Sequence, residues 1–257
     1  MKSLHKPPTL LLVALAAAVV VFARGARNAS ASTHAAPAAC AAHSSADSAS
    51  ESGPKSPTER AMERQGLVDV GAMDTSLVVS LMYARADNFT GRVLYADLRR
   101  AYLHPEAAHA LVRASRRLQR LRPDLRLLVC DAARPMSVQQ RMWDAVKGTP
   151  LHIYVSNPAR GGGLHNYGLA VDVTLCDAAT RRAIDMGTKV DHLGPEAHVR
   201  DEDALVARGI LSPSAVENRR LLRRAMQAGG FRVLPTEWWH FNLRTRAEAR
   251  ARYRTVR

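Results

Sequence analysis

The sequence predicts an α+β fold, a mostly antiparallel central sheet with helices packed on one side. Three observations point there. Apolar runs of strand length at residues 125–130 and 169–176 are separated by helical stretches and long loops with no regular β–α–β rhythm. A helical period over residues 214–228 leads into a closing hairpin, 231–234 with 238–243. The 257 residues suffice for one hydrophobic core, not comfortably for two once a polar N-terminal region is set aside. One catalytic-size domain over residues 61–257 is therefore expected.

At the N-terminus, Lys2 and Lys6 precede residues 10–23, which carry neither charge nor proline, the order of a secretory signal. Ala29-Ser30-Ala31 supplies the small residues a signal peptidase needs, so residues 1–31 read as a signal peptide cut after Ala31. The apolar run is short for a stable membrane-crossing helix. Arg24 and Arg27 behind it leave an uncleaved membrane anchor as the alternative. The protein is expected to be exported, periplasmic or extracellular, and to meet a membrane only through that segment. Lipidation of Cys40 fits poorly, because Cys40 is far from the apolar run and Pro37 stands where a lipoprotein signal usually has leucine. Residues 32–60, built from Ala, Ser, Pro, Gly and scattered charges, read as a flexible linker.

Residues 77–83 read as a strand, followed by a turn at Asn88-Phe89-Thr90-Gly91. Pro105 suits the first turn of an amphipathic helix that runs to Leu121, where Arg122-Pro123-Asp124 stops it. After the 125–130 strand, Asp131-Ala132-Ala133-Arg134-Pro135 breaks the run, and Ser137 is expected to cap a helix to Val146. Residues 147–164, rich in Gly, Pro and Asn, form a long loop of the kind that usually carries function. Residues 169–176 alternate, with Ala170, Asp172 and Thr174 on one, polar, face. Gly229-Gly230 ends the last long helix.

The formal charge of +14 comes mainly from arginine, at Arg113, Arg117 and Arg120, at Arg219 to Arg224 and along the tail 244–257. These read as solvated faces able to draw the protein toward anionic envelope polymers or lipid headgroups. Export and the lack of aromatics among the arginines argue against nucleic acid. Of three cysteines, Cys130 and Cys176 end strand-like runs, where they either pair or remain buried thiols, the commoner outcome. No cysteine spacing suggests a zinc knot, so any metal must be held by histidine and carboxylate.

Three segments carry candidate chemistry. In Gly163-Leu164-His165-Asn166-Tyr167-Gly168-Leu169-Ala170-Val171-Asp172, the histidine and the aspartate face opposite sides of a regular strand. They share a metal only if the chain bends, and Gly168 is where a bend costs least. The alternative is a hairpin with an exposed histidine and an aspartate satisfied by backbone. Glu237-Trp238-Trp239-His240 offers a further imidazole and a carboxylate, the third ligand and general base a metallohydrolase needs. Both face one site only if Glu237 lies at a bulge or where the strand begins after Pro235. The alternative is a core tryptophan pair beside a surface glutamate and a hydrogen-bonded histidine. Arg134, just beyond a strand, is placed to meet an oxyanion, or is simply paired with a carboxylate.

Together, H-x-x-G-x-A-x-D at residues 165–172 and E-W-W-H at 237–240 resemble the zinc D-alanyl-D-alanine dipeptidases associated with vancomycin resistance and D-Ala-D-Ala scavenging. Asp131 to Pro135, Asp87 to Gly91 and Asp185 to Thr188 add to the likeness, which covers about residues 67–243. The resemblance implies a Hedgehog/DD-peptidase-like fold and one zinc ion per chain on His165, Asp172 and His240. It implies Glu237 as general base, Arg134 as partner of the scissile carbonyl and Asp191 as receiver of the substrate ammonium. Family members often carry a serine two residues before the first zinc histidine, where this chain has Gly163. The hydroxyl contact to substrate is then either missing or supplied by Ser156 or Tyr167. The implied substrate is a small D,D-dipeptide, with peptidoglycan fragments as further partners. The rivals are a zinc carboxypeptidase trimming peptidoglycan stems and a cell-wall binding module without catalysis.

Overall fold

A computed structural model describes residues 53–257. The expected signal peptide, its cut after Ala31, Cys40 and most of the expected linker lie outside the described residues. The first element, α1 (Pro57–Arg64), begins inside that linker's expected 32–60 span. Ser56 Oγ accepts from Glu59 N at 3.1 Å and the Glu59 carboxylate accepts from Ser56 N at 2.9 Å, a reciprocal cap that starts the helix despite its polar sequence. Glu59 also accepts from Arg99 N, Arg100 N and the Arg100 guanidinium, which fastens the helix to the body of the protein.

Next come β1 (Val68–Asp69), α2 (Val70–Met73), β2 (Val78–Val79) and β3 (Tyr102–Leu103). β1 and β3 pair as a small antiparallel sheet. The strand expected over 77–83 shrinks to β2, because the chain turns at Met82–Ala84 in a 3-10 turn. Leu81, Met82 and Tyr83 are all buried, so an apolar run there served a turn as well as a strand. α3 (Pro105–Leu121) has the expected bounds. β4 (Leu125–Asp131) follows, then α4 (Met136–Val146). Ser137 does not cap α4: the N-cap is Pro135, whose carbonyl accepts from Val138 N and Gln139 N. The long loop is ordered as short 3-10 turns at Pro150–Tyr154, Pro158–Arg160 and Leu164–Tyr167.

The remaining elements are β5 (Ala170–Asp177), α5 (Glu202–Ala207), α6 (Pro213–Gly229), β6 (Arg232–Leu234), β7 (Glu237–Asn242) and α7 (Arg246–Arg252). The main sheet has the order β2-β4-β5-β7-β6. Only the β2–β4 pair is parallel, so the sheet is mostly antiparallel as expected. α3 and α6 pack on each other and against β4, β5 and β6. They approach closely: a Cβ on Gly229 would lie 2.4 Å from the Ala110 carbonyl oxygen.

Three expectations meet the structure here, and the last of them needs correction. The polar face of β5 is itself buried, with Asp172 and Thr174 at 3% and 2% exposure. Cys130 and Cys176 remain buried thiols, the outcome expected to be the commoner, because Cys176 pairs in register with Arg126, four residues along β4 from Cys130, roughly 13 Å at strand spacing and beyond disulfide reach. Arg219 is not on a solvated face. It is fully buried, donates to the Met186 and Glu196 carbonyls and stands over the Trp238 ring at 5.3 Å.

Candidate active site

Register places the first chemical groups. Asp131 on β4 opposes Asp172 on β5, and Asp172 opposes His240 on β7, so three strands set these side chains in one row. His165 reaches the same point from outside the sheet. The Leu164–Tyr167 turn is closed by Gly168, whose φ of +66° favours glycine, and Gly168 N donates to the His165 carbonyl at 3.0 Å. A Cβ at Gly168 would also lie 2.8 Å from His104 N. The expected bend between His165 and Asp172 is therefore present as a turn ending in left-handed backbone. Arg134 N donates to the His165 carbonyl and Asn166 Nδ2 donates to the Arg134 carbonyl, which ties this turn to the end of β4.

Three side-chain atoms meet. His165 Nε2 lies 3.3 Å from Asp172 Oδ1 and 3.1 Å from His240 Nδ1, and His240 Nδ1 lies 3.0 Å from Asp172 Oδ1. Each ring is oriented by its other nitrogen: His165 Nδ1–H donates to the Ala132 carbonyl at 2.6 Å, and His240 Nε2–H donates to Asn242 Oδ1 at 2.9 Å. Both nitrogens facing Asp172 then carry bare lone pairs. Three acceptors within about 3.3 Å repel one another unless a cation lies between them. Tetrahedral zinc with bonds of about 2.0–2.1 Å separates its ligands by about 3.3 Å, close to this triangle. The donor set fits zinc. Burial raises the Asp172 carboxyl pKa, but when the two rings are protonated in place of a bound cation, their charge and hydrogen bonds bring it well below the usual carboxylate range.

Glu237 opens β7 at an irregularity: between Val233 and Leu234 the pairing moves from Phe241 to Glu237, so one step on β6 faces four on β7. Glu237 thus stands at the strand's entry after Pro235, one of the two expected placements, and beside this irregularity it shares one cavity with His240, with Glu237 Oε2 4.0 Å from His240 Nδ1. Burial and the nearby Asp172 and Asp191 charges push the Glu237 carboxyl up to about 7. Trp238 and Trp239 pack edge to face in the core at 5.4 Å, so the core and site readings of E-W-W-H both hold.

Arg134 is likewise both paired and at the site. Its Nε and one terminal nitrogen donate to Asp131 Oδ2 at 3.1 and 2.6 Å, and the other terminal nitrogen donates to Gln139 Oε1 at 2.8 Å. Each terminal nitrogen keeps one further N–H. One of them lies 3.9 Å from Asp172 Oδ2. Asp191 has left-handed backbone, φ +72°, a conformation aspartate tolerates better than most residues. Its carboxylate accepts from Tyr83 Oη at 2.8 Å and Phe89 N at 3.0 Å, and burial raises its pKa to about 7 against the pull of those two bonds.

All six residues line one cavity of about 1000 Å³. Ser156 lines it too, with Oγ 2.9 Å from where a Cβ on Gly163 would stand, so its hydroxyl fills the space left by that glycine. Tyr167 does not. Its Oη donates to the Gly161 carbonyl at 3.1 Å and its ring borders a separate cavity with His104 and Arg250, because the turn that directs His165 inward directs Tyr167 outward.

Sequence reasoning gave no site role to Asp131, Tyr83, Gln139 or Arg219: the partners of Tyr83 and Arg219 are remote in sequence, whereas Arg134, the partner of Asp131 and Gln139, is only three and five residues away. Asp131 is fully buried between Arg134 and Tyr95, whose Oη donates to it at 2.6 Å. Arg219 and Trp238, the latter donating to Thr188 Oγ1 at 2.8 Å, hold the segment that leads to Asp191.

A model of the D-ala-D-ala dipeptidase family matches residues 63–256, which include every residue placed at this site. The chain belongs to that family. It is a dipeptidase-type enzyme of the same peptidase group. Among its relatives is the D-alanyl-D-alanine dipeptidase of Escherichia coli (strain K12), 34% identical over 177 residues, 69% of this chain and 84% of that protein. The Streptomyces coelicolor D-alanyl-D-alanine dipeptidase is 29% identical over 179 residues, 63% of this chain and 83% of the relative. A shorter match of 80 residues, 36% identical, links it to the Enterococcus faecium enzyme of the same name, 31% of this chain and 36% of the relative. The histidines and the aspartate of the two sequence motifs are the residues whose ligand atoms converge here.

Proposed function

We propose that this family member is an exported, zinc-dependent dipeptidase that hydrolyses D-Ala-D-Ala to two molecules of D-alanine, with a fold of the Hedgehog and DD-peptidase kind. The observation that carries the reading is the convergence of His165, Asp172 and His240 within 3.3 Å of one another, with Glu237 at 4.0 Å in the same cavity. A zinc ion on those three residues supplies Lewis acidity, which polarises a peptide carbonyl and lowers the pKa of water toward about 7.

The chain's own groups account for the rest. Glu237 accepts a proton from the attacking water and delivers it to the leaving amine nitrogen, a role its place in the same cavity, 4.0 Å from His240 Nδ1, supports. Arg134, its charge balanced by Asp131, offers its two remaining N–H groups to the carbonyl oxygen as negative charge develops there. Asp191, fixed by Tyr83 and Phe89, receives the free ammonium group. That acid favours a substrate with a free amino end.

A second reading draws on the cavity. At about 1000 Å³ it stands at the upper end of the roughly 300–1,000 Å³ usual for small-molecule sites, which leaves room for a peptidoglycan stem. Glu237→Ala tests the mechanism: the variant is expected to bind one zinc per chain and to release no D-alanine from the dipeptide. Turnover near the parent's rate would remove Glu237 from the chemistry.

A further inference from the structure

The cavity has an anionic end and a cationic end. Asp191 hydrogen-bonds to Tyr83, and Arg134 stands over the Tyr83 ring at 5.1 Å. Arg134 then donates to Gln139, Gln139 Nε2 donates to the Ser156 carbonyl at 2.8 Å, and Ser156 Oγ accepts from the Arg246 guanidinium at 2.8 Å. A continuous polar wall therefore runs from a carboxylate to an arginine. Ser156 packs against Gly163, two residues before His165, so this arginine is tethered beside the metal-binding turn.

Arg246 differs from Arg134 and Arg244, two other cations of the cavity. Arg134 is neutralised by Asp131, and Arg244 is paired with Glu106. Arg246 is held by a neutral hydroxyl, and among the described residues no carboxylate pairs with it. A guanidinium so placed keeps its full charge and most of its planar donor fork for an anion entering the cavity. Resting on the dipeptidase reading, we propose that Arg246, steadied by Ser156, is a specificity-determining residue that receives the free carboxylate of the substrate's second residue. A dipeptide zwitterion then lies between Asp191 and Arg246, and a substrate whose carboxyl end is blocked loses one of its two anchors.

The test compares D-Ala-D-Ala with its C-terminal amide in the zinc-loaded enzyme, measuring kcat and KM separately. The parent is expected to favour the free acid. Arg246→Ala is expected to raise KM for the free acid by about tenfold or more, to retain kcat within about threefold and to lose most of the preference over the amide. Arg246→Lys should recover part of it. Arg232→Ala removes another cavity cation and should leave the preference intact. With an active parent, an unchanged preference in Arg246→Ala, or an equal loss in Arg232→Ala, overturns the assignment. Absence of D-alanine release by the parent overturns the dipeptidase reading itself, and the assignment with it.

Discussion

At the scale of single residues, the site works by placing acids in opposed environments. Asp172 lies against two imidazoles and stays ionised, whereas Glu237, buried and facing Asp172 and Asp191, holds its proton up to about 7. A buried carboxyl with a raised pKa makes the folded state less stable once it ionises. Below about pH 4.5 Glu237 is protonated in both folded and unfolded chains and costs nothing. As pH rises through its unfolded value toward about 7, the unfolded chain releases the proton first and stability falls. In zinc-free protein, Glu237→Gln is therefore expected to melt close to the parent at pH 4 and to exceed its stability at pH 8, by about 2–3 kcal/mol in urea unfolding. Equal stability at both pH values would show that Glu237 is not strained by its surroundings.

At the scale of elements, packing and register decide where these residues stand. α3 carries its own punctuation, Pro105 at the start and Arg122-Pro123 at the end, and its bounds were legible for that reason. α6 was legible from its helical period and Gly229-Gly230, but not the burial of Arg219, whose partners Met186, Glu196 and Trp238 lie elsewhere in the chain. The bend at Gly168 and the placement of Glu237 at its strand's entry followed from asking how residues on opposite strand faces could share one site. The alignment of Asp131, Asp172 and His240 did not, since pairing register between distant strands leaves no local trace. The helix contact gives its own prediction. Gly229→Ala forces a Cβ against the Ala110 carbonyl, and thermal or urea unfolding should register a loss of about 1–3 kcal/mol while the zinc stoichiometry of folded protein is unchanged. No loss of stability would mean that α3 and α6 are free to separate.

At the scale of the whole molecule, the described residues form a five-stranded main sheet, beside the small β1–β3 pair, whose strands β4, β5 and β7 lead to the cavity, while α3 and α6 cover the core. The formal charge of +14 is unevenly used: Arg134, Arg219 and Arg223 are drawn into ion pairs with Asp131 and Glu202, whereas Arg246 faces the cavity without a carboxylate among the described residues. The choice between a free dipeptide and a stem peptide also belongs to this scale, because it depends on whether Asp191 or the roominess of the cavity governs access. The most direct measurement is D-alanine release by the purified, zinc-loaded protein from D-Ala-D-Ala, in parallel with a stem pentapeptide ending in the same pair. Rapid release from the dipeptide and little from the pentapeptide is the predicted result. Preference for the pentapeptide, or no release from either with zinc bound, would contradict it.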